Sequence, residues 1–344
     1  MKKSLVALAV LAGFAGAAAA QSSVTLFGVV DLAARYTKAN GNNKSELAKD
    51  GNTASRIGVR GIEDLGGGLK AGFWLEGALS ADTGTADAAF WGRRASVSLF
   101  GEFGEVRLGR GKTSTRLVID DFDVYSTTGL GDISKVYGRN GTSPLGSGAP
   151  NLNRSDNMVQ YFLPSDLGGV YGSFDVAAGE GATSGKFFGG RLGYKDGALH
   201  VAGGYQTTDV ANNGKYKLGS IGVSYDFGVA KANLLLSQGK FGSLKQNVYT
   251  IGTIVPVTAA GSFTAQFTKA STNGAADLSA TAAGDAKLYT VGYQHNLSKR
   301  TALYSTVSLV DNSGKAAYYL TSTGATVTAG GRQGGVDVGI RHSF

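Results

Sequence analysis

The feature that most constrains the fold of this chain is an alternation of apolar and polar side chains with a period of two, which recurs from Ser23 to Phe344. A period of two is that of a β-strand, in which successive side chains point to opposite faces. In Lys287–Leu297, for example, Tyr, Val and Leu share one face while Thr, Gly, Gln and Asn share the other. Between Ser23 and Phe344, no stretch supplies the roughly 18–20 consecutive apolar residues of a transmembrane helix. The alternation therefore predicts an all-β protein.

Short turns and longer polar loops alternate between the predicted strands. We place the seven short turns at 64–68, 101–104, 165–169, 196–197, 226–228, 256–261 and 297–300. The eight longer loops fall near 37–54, 81–89, 112–153, 180–185, 209–215, 240–245, 272–285 and 313–331. These fifteen connections separate sixteen strands. Short turns at one end and long loops at the other are typical of outer-membrane β-barrels.

Residues 1–20 have the pattern of a secretory signal peptide. Lys2 and Lys3 precede the apolar run Leu5–Ala17, and Ala18–Ala20 supplies a small-residue cleavage site. We predict cleavage there, which leaves residues 21–344 as one domain with 31 basic and 25 acidic side chains. An exported chain with alternating apolar and polar side chains is either a soluble β-protein or a membrane barrel. Sixteen strands, the last of which ends on an aromatic residue, favour the barrel. A barrel of about sixteen strands encloses an aqueous channel, so the sequence predicts transport across a Gram-negative outer membrane.

The segment 112–153 is the longest stretch without a strand pattern. Loops longer than about 12–15 residues without secondary structure are usually functional or disordered, and the apolar residues of this one predict that it is packed. It contains four aspartates, which are balanced by Lys112, Arg116, Lys135 and Arg139. The segment is therefore not a net acidic plug, and its effect on ions depends on which charges face the pore.

Four motifs carry a family resemblance: SVTLFGVVD at Ser23–Asp31, SRIGVRGIEDLGGGLKA at Ser55–Ala71, the pair Gly109–Arg110, and VGIRHSF at Val338–Phe344. Together they resemble the general porins of Gram-negative bacteria, of the betaproteobacterial type. The resemblance implies a 16-stranded antiparallel transmembrane β-barrel and a homotrimer with one pore per subunit. It also implies that the third loop, 112–153, folds inward and constricts the pore. Phe344 then matches the terminal aromatic that the outer-membrane insertion machinery reads.

The resemblance further implies that wall arginines face acids of the third loop. Arg56 and Arg154 match two of these arginines, and the third lies at Arg93 or Arg94. The position of the motif favours Arg93, whereas strand alternation places Arg94 in the lumen, so both stay open.

On the loop, Asp123 is the best match, with Asp120 and Asp121 as close alternatives. Arg35 and Arg110 would extend the arginines into a basic ladder, and Arg60 would lie at another level of the same wall. Arginine stays charged at any working pH, and rings of charge set the selectivity of a pore. We therefore expect a channel for small hydrophilic solutes and inorganic ions that prefers anions. For any single arginine, a structural ion pair is an equally good reading.

Other functions find little support in the sequence. An enzyme needs a nucleophile beside a base, and none of the three histidines, His200, His295 and His342, has such a neighbourhood. The sequence GRGKT at 109–113 lacks the first glycine of a phosphate-binding loop, and the basic residues are scattered rather than gathered for nucleic acid. The absence of cysteine excludes disulfides and thiolate metal sites, and we predict no cofactor. The alternative we retain is a substrate-specific outer-membrane channel for a class of anionic solutes.

Overall fold

The computed structural model describes residues 23–137, 153–179, 185–210, 214–273, 284–321 and 327–344. The predicted signal peptide, 1–20, and residues 138–152 of the predicted third loop lie outside these ranges. Within them, no helix is long and apolar enough to span a membrane. The strands are β1 (Ser23–Ala39), β2 (Asn42–Lys49), β3 (Arg56–Gly66), β4 (Leu69–Ser80), β5 (Thr85–Ala86), β6 (Arg94–Gly101), β7 (Gly104–Lys112), β8 (Arg154–Phe162), β9 (Val170–Ala177), β10 (Phe187–Asp196), β11 (Leu199–Val210), β12 (Gly214–Asp226), β13 (Lys231–Phe241), β14 (Leu244–Pro256), β15 (Gly261–Asn273), β16 (Gly284–Asn296), β17 (Thr301–Asn312) and β18 (Arg332–Ser343).

The strands form one antiparallel sheet that closes on itself through β1 and β18. Of its 18 strand segments, β5 pairs only with the end of β4, and β2 and β3 pair in turn with the two halves of β1. Leaving out β5 and counting β2 with β3 as one strand leaves 16 strands in the wall. Closure satisfies the backbone hydrogen bonds of the sheet without an exposed edge, which a barrel in lipid requires. The predicted strand number and fold class are confirmed.

The alternation that predicted the strands also defines the two faces of the wall. On β12, Ile221, Val223 and Tyr225 are exposed, whereas Ser220 and Ser224, on the other face, are buried. On β18, Val336, Val338 and Ile340 likewise point outward. In a closed barrel the exposed apolar face is the outside, so the polar face lines the lumen.

The seven predicted short turns lie between consecutive wall strands at one end of the barrel, which we call the turn side; the opposite end is the loop side. The prediction for 37–54 needs a correction. β1 runs on to Ala39 and pairs with β2, so most of that segment is a hairpin. The residues Asn42–Lys49 gave no strand signal because polar side chains occupy both faces of this strand, so there is no apolar alternation.

Residues 113–137, here called the inner segment, contain the one α-helix of the described residues, α1 (Ser114–Phe122). Thr113 caps its N-terminus by accepting a hydrogen bond from the Arg116 amide. At Gly222, a Cβ atom would overlap the Phe122 ring, and at Gly252 it would meet Val124. Both glycines share the inward face of their strands, so the inner segment lies against the inside of the wall.

The hydrophobic core of the protein lies between the inner segment and one half of the barrel. Val118, Ile119, Phe122 and Leu130 of the inner segment are at most 2% exposed. They belong to one cluster with inward apolar residues of β11–β17: Ala202, Tyr216, Leu218, Leu235, Leu244, Val248, Ala270, Ala286, Leu288 and Val310. Because the segment is packed against this half, the free part of the lumen lies along the other half, β1–β8.

Candidate functional site

An open space of about 840 Å³ lies between the inner segment and the loop-side part of β1–β8. Eight basic and five acidic side chains line it. The bases are Arg35, Lys49, Arg93, Arg110, Lys112, Arg116, Lys135 and Arg154, and the acids are Glu46, Asp50, Asp82, Asp87 and Asp132. The lining therefore has a surplus of three positive charges.

Three of the predicted wall arginines lie in one cluster with a single carboxylate, which two of them contact. Glu76 of β4 accepts a hydrogen bond from Arg93 Nε at 2.5 Å, and Arg56 Nε lies 3.7 Å from the same oxygen. Arg154 donates from Nε to the main-chain oxygen of Arg93 at 2.8 Å. We call Arg56, Glu76, Arg93 and Arg154 the wall cluster. It holds three positive charges against one negative charge, and arginine cannot relieve this by losing a proton.

Arg93 and Arg94 both point into the lumen, but at different levels. Arg93 lies just before β6, and its amide donates to the main-chain oxygen of Glu76 at 3.1 Å. Arg94 is the first residue of β6 and shares the inward face with Ser96 and Ser98. Its guanidinium lies 4.6 Å from the centre of the Trp74 ring, toward the turn side. The two rules that disagreed in the sequence are reconciled because the strand begins between the two residues.

Of the three predicted loop acids, Asp120 is the one that pairs with basic side chains beside the wall cluster. Lys112 Nζ and Arg116 Nε donate to its two carboxylate oxygens at 2.5 and 2.6 Å. Lys112 is the register partner of Arg154, which connects this ion-pair group to the wall cluster. Burial favours the neutral acid, but Arg116 and Lys112 outweigh it and hold the pKa of Asp120 below its usual range.

The other two candidate acids point elsewhere. Asp121 accepts from Arg191 at 3.1 Å on the opposite wall, and burial raises its pKa despite that arginine. Asp123 is 2% exposed and accepts the amides of Tyr125, Thr127 and Ile133. Burial, helped by the charge of Asp132, raises the pKa of Asp123 to about 7. Asp123 therefore serves the backbone of the inner segment rather than facing the wall arginines.

The predicted basic ladder divides into paired and unpaired charges. Arg35 makes a bidentate pair with Asp337, both contacts being 2.7 Å. Arg110 donates to Asp156 and to the main-chain oxygen of Gly92. Arg60 lies in the middle of β3, and its guanidinium is 4.9 Å from the Trp74 ring centre. Within the described part of the chain, Arg60 makes no salt bridge.

Several lumen charges were not singled out from the sequence. Glu76, which joins the wall cluster, and Arg341, whose Nε is buried without a partner among the described residues, both have inward parity. Arg107 also faces inward and forms a bidentate pair with Glu105. The alternation could have identified all three, because each lies two or four residues from another inward polar residue on its strand.

The last residue completes the closure of the barrel. The Phe344 amide and carbonyl exchange two hydrogen bonds of 3.1 Å with Gly28. Its ring occupies the place where a Cβ atom at position 28 would lie. Gly28 is therefore a position where the close approach of an aromatic ring requires glycine.

The histidines do not form a catalytic arrangement among the described residues. His200 Nε2 lies 2.6 Å from the Tyr171 hydroxyl and its ring packs beside Phe122. His342 Nδ1 lies 2.9 Å from Thr301 Oγ1 on the outer face. No three His, Asp or Glu side chains in this part of the chain are grouped to hold a metal ion.

Comparison with known proteins points to one family. The sequence profile described as "Gram-negative porin" matches residues 7–315. Outer membrane porin protein 32 of Delftia acidovorans is 41% identical over 366 aligned positions that cover both chains completely. An outer membrane porin protein of Bordetella pertussis is 30% identical, again over the full length of both.

Solved structures agree with the barrel. An anion-selective porin from Comamonas acidovorans superposes with a TM-score of 0.85 at 38% identity, covering 94% of this chain and 100% of the other. The trimer form of OmpT from Vibrio cholerae gives a TM-score of 0.68 at 15% identity, covering 94% of this chain and 99% of the other, and shows the fold alone.

Proposed function

Because this chain belongs to the family of Gram-negative porins and is an outer-membrane protein, we propose that its barrel is a water-filled channel for passive diffusion of small hydrophilic solutes and ions, with a preference for anions. The proteins to which this chain is similar are porins, which are channels rather than enzymes. The observation that carries the anion preference is the wall cluster, in which Arg56 and Arg93 share the single carboxylate of Glu76 and Arg154 binds the main-chain oxygen of Arg93.

The opposing side of the free space does not cancel this charge. Asp120 is already neutralised by Lys112 and Arg116, and Asp123 is buried in the inner segment. An ion passing between the wall and the inner segment meets eight basic and five acidic side chains, a surplus of three positive charges. At an effective dielectric constant of about 20, one unpaired charge some 4–8 Å from the ion contributes roughly 2–4 kcal/mol before screening by salt. The similar porin from Comamonas acidovorans is anion-selective, which supports the same preference.

We also propose that the chain assembles as a homotrimer and that the inner segment, within 112–153, forms the constriction. The trimer form of OmpT supports the first part, since a shared barrel fold permits a shared assembly. The packing of α1 against the inside of the wall supports the second, because it removes half of the lumen from the path of solutes.

The reversal potential in a KCl gradient tests the proposal. The purified protein in a planar bilayer should give open-channel conductance steps and a reversal potential of anion-selective sign. Replacing Arg56 and Arg154 by glutamine should lower the chloride-to-potassium permeability ratio by roughly fivefold, which corresponds to about 1 kcal/mol.

Arg332→Gln is the matched control, because Arg332 is an arginine paired with Asp311 at an exposed loop-side position. That variant should keep the permeability ratio of the parent. A cation-selective parent, or equal ratios in the double variant and the parent, would contradict the role of the wall cluster. A parent without conductance steps would contradict the channel itself.

A further inference from the structure

A second basic group lies in the lumen on the turn side of the wall cluster. An open space of about 490 Å³ lies there, bordered by Arg60, Arg94, Arg107 and Glu105. Arg107 and Glu105 neutralise one another through a bidentate pair of 2.8 and 3.0 Å. Arg60 and Arg94 make no salt bridge within the described residues, so the space keeps two uncompensated positive charges.

An aromatic side chain holds these two charges in place. The Arg94 guanidinium lies 4.6 Å and the Arg60 guanidinium 4.9 Å from the centre of the Trp74 ring. Phe27 packs edge-on against Trp74 at 5.0 Å and lies 5.4 Å from Arg60. Cation–π contacts of this kind fix the plane of a guanidinium without neutralising its charge. We call Arg60, Trp74 and Arg94 the turn-side stack.

Among the described residues, the stack uses little of its hydrogen-bonding capacity. Arg94 donates from Nε to Ser96 Oγ at 2.8 Å, and a guanidinium has five N–H donors in a planar fork. Such forks match the oxygens of carboxylates and phosphates. Stacked arginines with free donors beside an open space are thus suited to hold a small oxyanion.

The stack is also connected to the wall cluster. The Trp74 indole N–H donates to Glu76 at 3.0 Å, and the other oxygen of Glu76 accepts from Arg93. Trp74 and Glu76 are successive inward residues of β4, which places them about 7 Å apart along the strand. An anion leaving the wall cluster toward the turn side would therefore meet the stack as its next cationic surface.

We propose that the turn-side stack of Arg60, Trp74 and Arg94 is a second anion-binding subsite, which takes a small carboxylate or phosphate on the turn side of the wall cluster. The proposal rests on the channel function, since solutes reach the stack through the lumen. It differs from that function by predicting a saturable site at one stated place.

Tryptophan fluorescence offers a direct test, because the chain has two tryptophans. In Trp91→Phe protein in detergent, Trp74 is the remaining tryptophan, and its emission is selected by exciting at a wavelength that tyrosine does not absorb. Iodide, an anionic quencher, should quench it several times more strongly than neutral acrylamide does, and inorganic phosphate should protect it along a saturating curve. Arg60→Gln with Arg94→Gln in this background should weaken the phosphate protection by about tenfold, as expected for losing hydrogen bonds to charged groups.

Lys299→Gln with Arg300→Gln is the matched control, since it removes two positive charges from a short turn at the turn side of the barrel. That control should keep the iodide sensitivity and the phosphate curve of the parent. Acrylamide quenching should be equal in all three proteins, which would show that the exposure of Trp74 is unchanged. Equal iodide sensitivity and equal phosphate protection in the two double variants would overturn the subsite.

The failure of the subsite and the failure of the channel are distinguishable. Conductance steps in KCl together with unsaturable phosphate protection would leave the channel standing and reject the subsite. Fluorescence protection without conductance would reject open diffusion while supporting anion binding at the stack.

Discussion

At the scale of residues, three aspartates within four positions have three different environments. Asp120 and Asp121 are neighbours on a helix, where successive side chains diverge by about 100°. One therefore contacts Lys112 and Arg116, while the other contacts Arg191 on the opposite wall. Asp123, just past the end of α1, is surrounded by backbone amides. Sequence spacing alone could not assign them, because the side of the lumen that each faces depends on how the helix is rotated.

The buried carboxyl group of Asp123 predicts a dependence of stability on pH. Its pKa is raised to about 7 in the folded protein, above the value of about 3.9 for an exposed aspartate. The folded state therefore holds the proton more tightly, so the contribution is fully present below about pH 4 and is lost as pH rises through about 7. Asp123→Asn should reduce the fall in thermal unfolding midpoint between pH 5 and pH 8.

The control for Asp123→Asn is an aspartate that is exposed rather than buried. Asp166 lies exposed in a short turn, and Asp166→Asn should keep the pH dependence of the parent. If Asp123→Asn lost as much stability between pH 5 and pH 8 as the parent, the carboxyl of Asp123 would not be the titrating group.

At the scale of elements, the position of α1 depends on small residues in the wall. Gly222 lies beneath the Phe122 ring, and the Ser114 amide and hydroxyl donate to Asp175 at 2.5 and 2.6 Å at the other end of the helix. The helix is thus held at both ends, by packing at one and by hydrogen bonds at the other. A helix so fixed defines the width of the remaining lumen.

Gly222→Ala should move α1 toward the open space, because the new Cβ atom would overlap the Phe122 ring. Overpacking of this kind typically costs about 1–3 kcal/mol. We expect a lower single-channel conductance and a lower unfolding midpoint.

Gly203→Ala is the control for that variant, since the nearest atom to its added Cβ lies at 3.7 Å. It should leave both quantities unchanged. A Gly222→Ala channel with the parent's conductance would show that α1 does not limit the pore.

At the scale of the whole molecule, the barrel closes where its two ends meet. β18 pairs with β1 over eleven residue pairs, and Phe344 adds two hydrogen bonds to Gly28. Removal of one terminal residue therefore leaves the closing ladder almost intact. If deletion of Phe344 impairs assembly more than the loss of two hydrogen bonds explains, the cause would be lost recognition of the terminal aromatic during assembly.

We expect deletion of Phe344 to reduce the amount of native trimer in outer membranes several-fold, as judged by its migration without heating. The same chain refolded in detergent should still reach the parent's β-sheet content, because the closing strands remain. Leu297→Ala, an exposed apolar residue in a turn, controls for loss of surface apolarity. Equal trimer yields from cells would contradict an assembly role for Phe344, and a parent without trimer would contradict the proposed assembly.

The sequence by itself determined the number of strands, the two faces of the wall and the positions of the short turns. These follow from local properties, since the side-chain period and the placement of glycine-rich turns act within a few residues. Only the tertiary structure decided that Arg56 and Arg93 share Glu76, that Arg154 binds the main chain of Arg93, and that Arg60 and Arg94 stack on Trp74. It also decided which aspartate of the inner segment faces the basic wall. These contacts join strands through the barrel's register and stagger, which no single stretch of sequence contains.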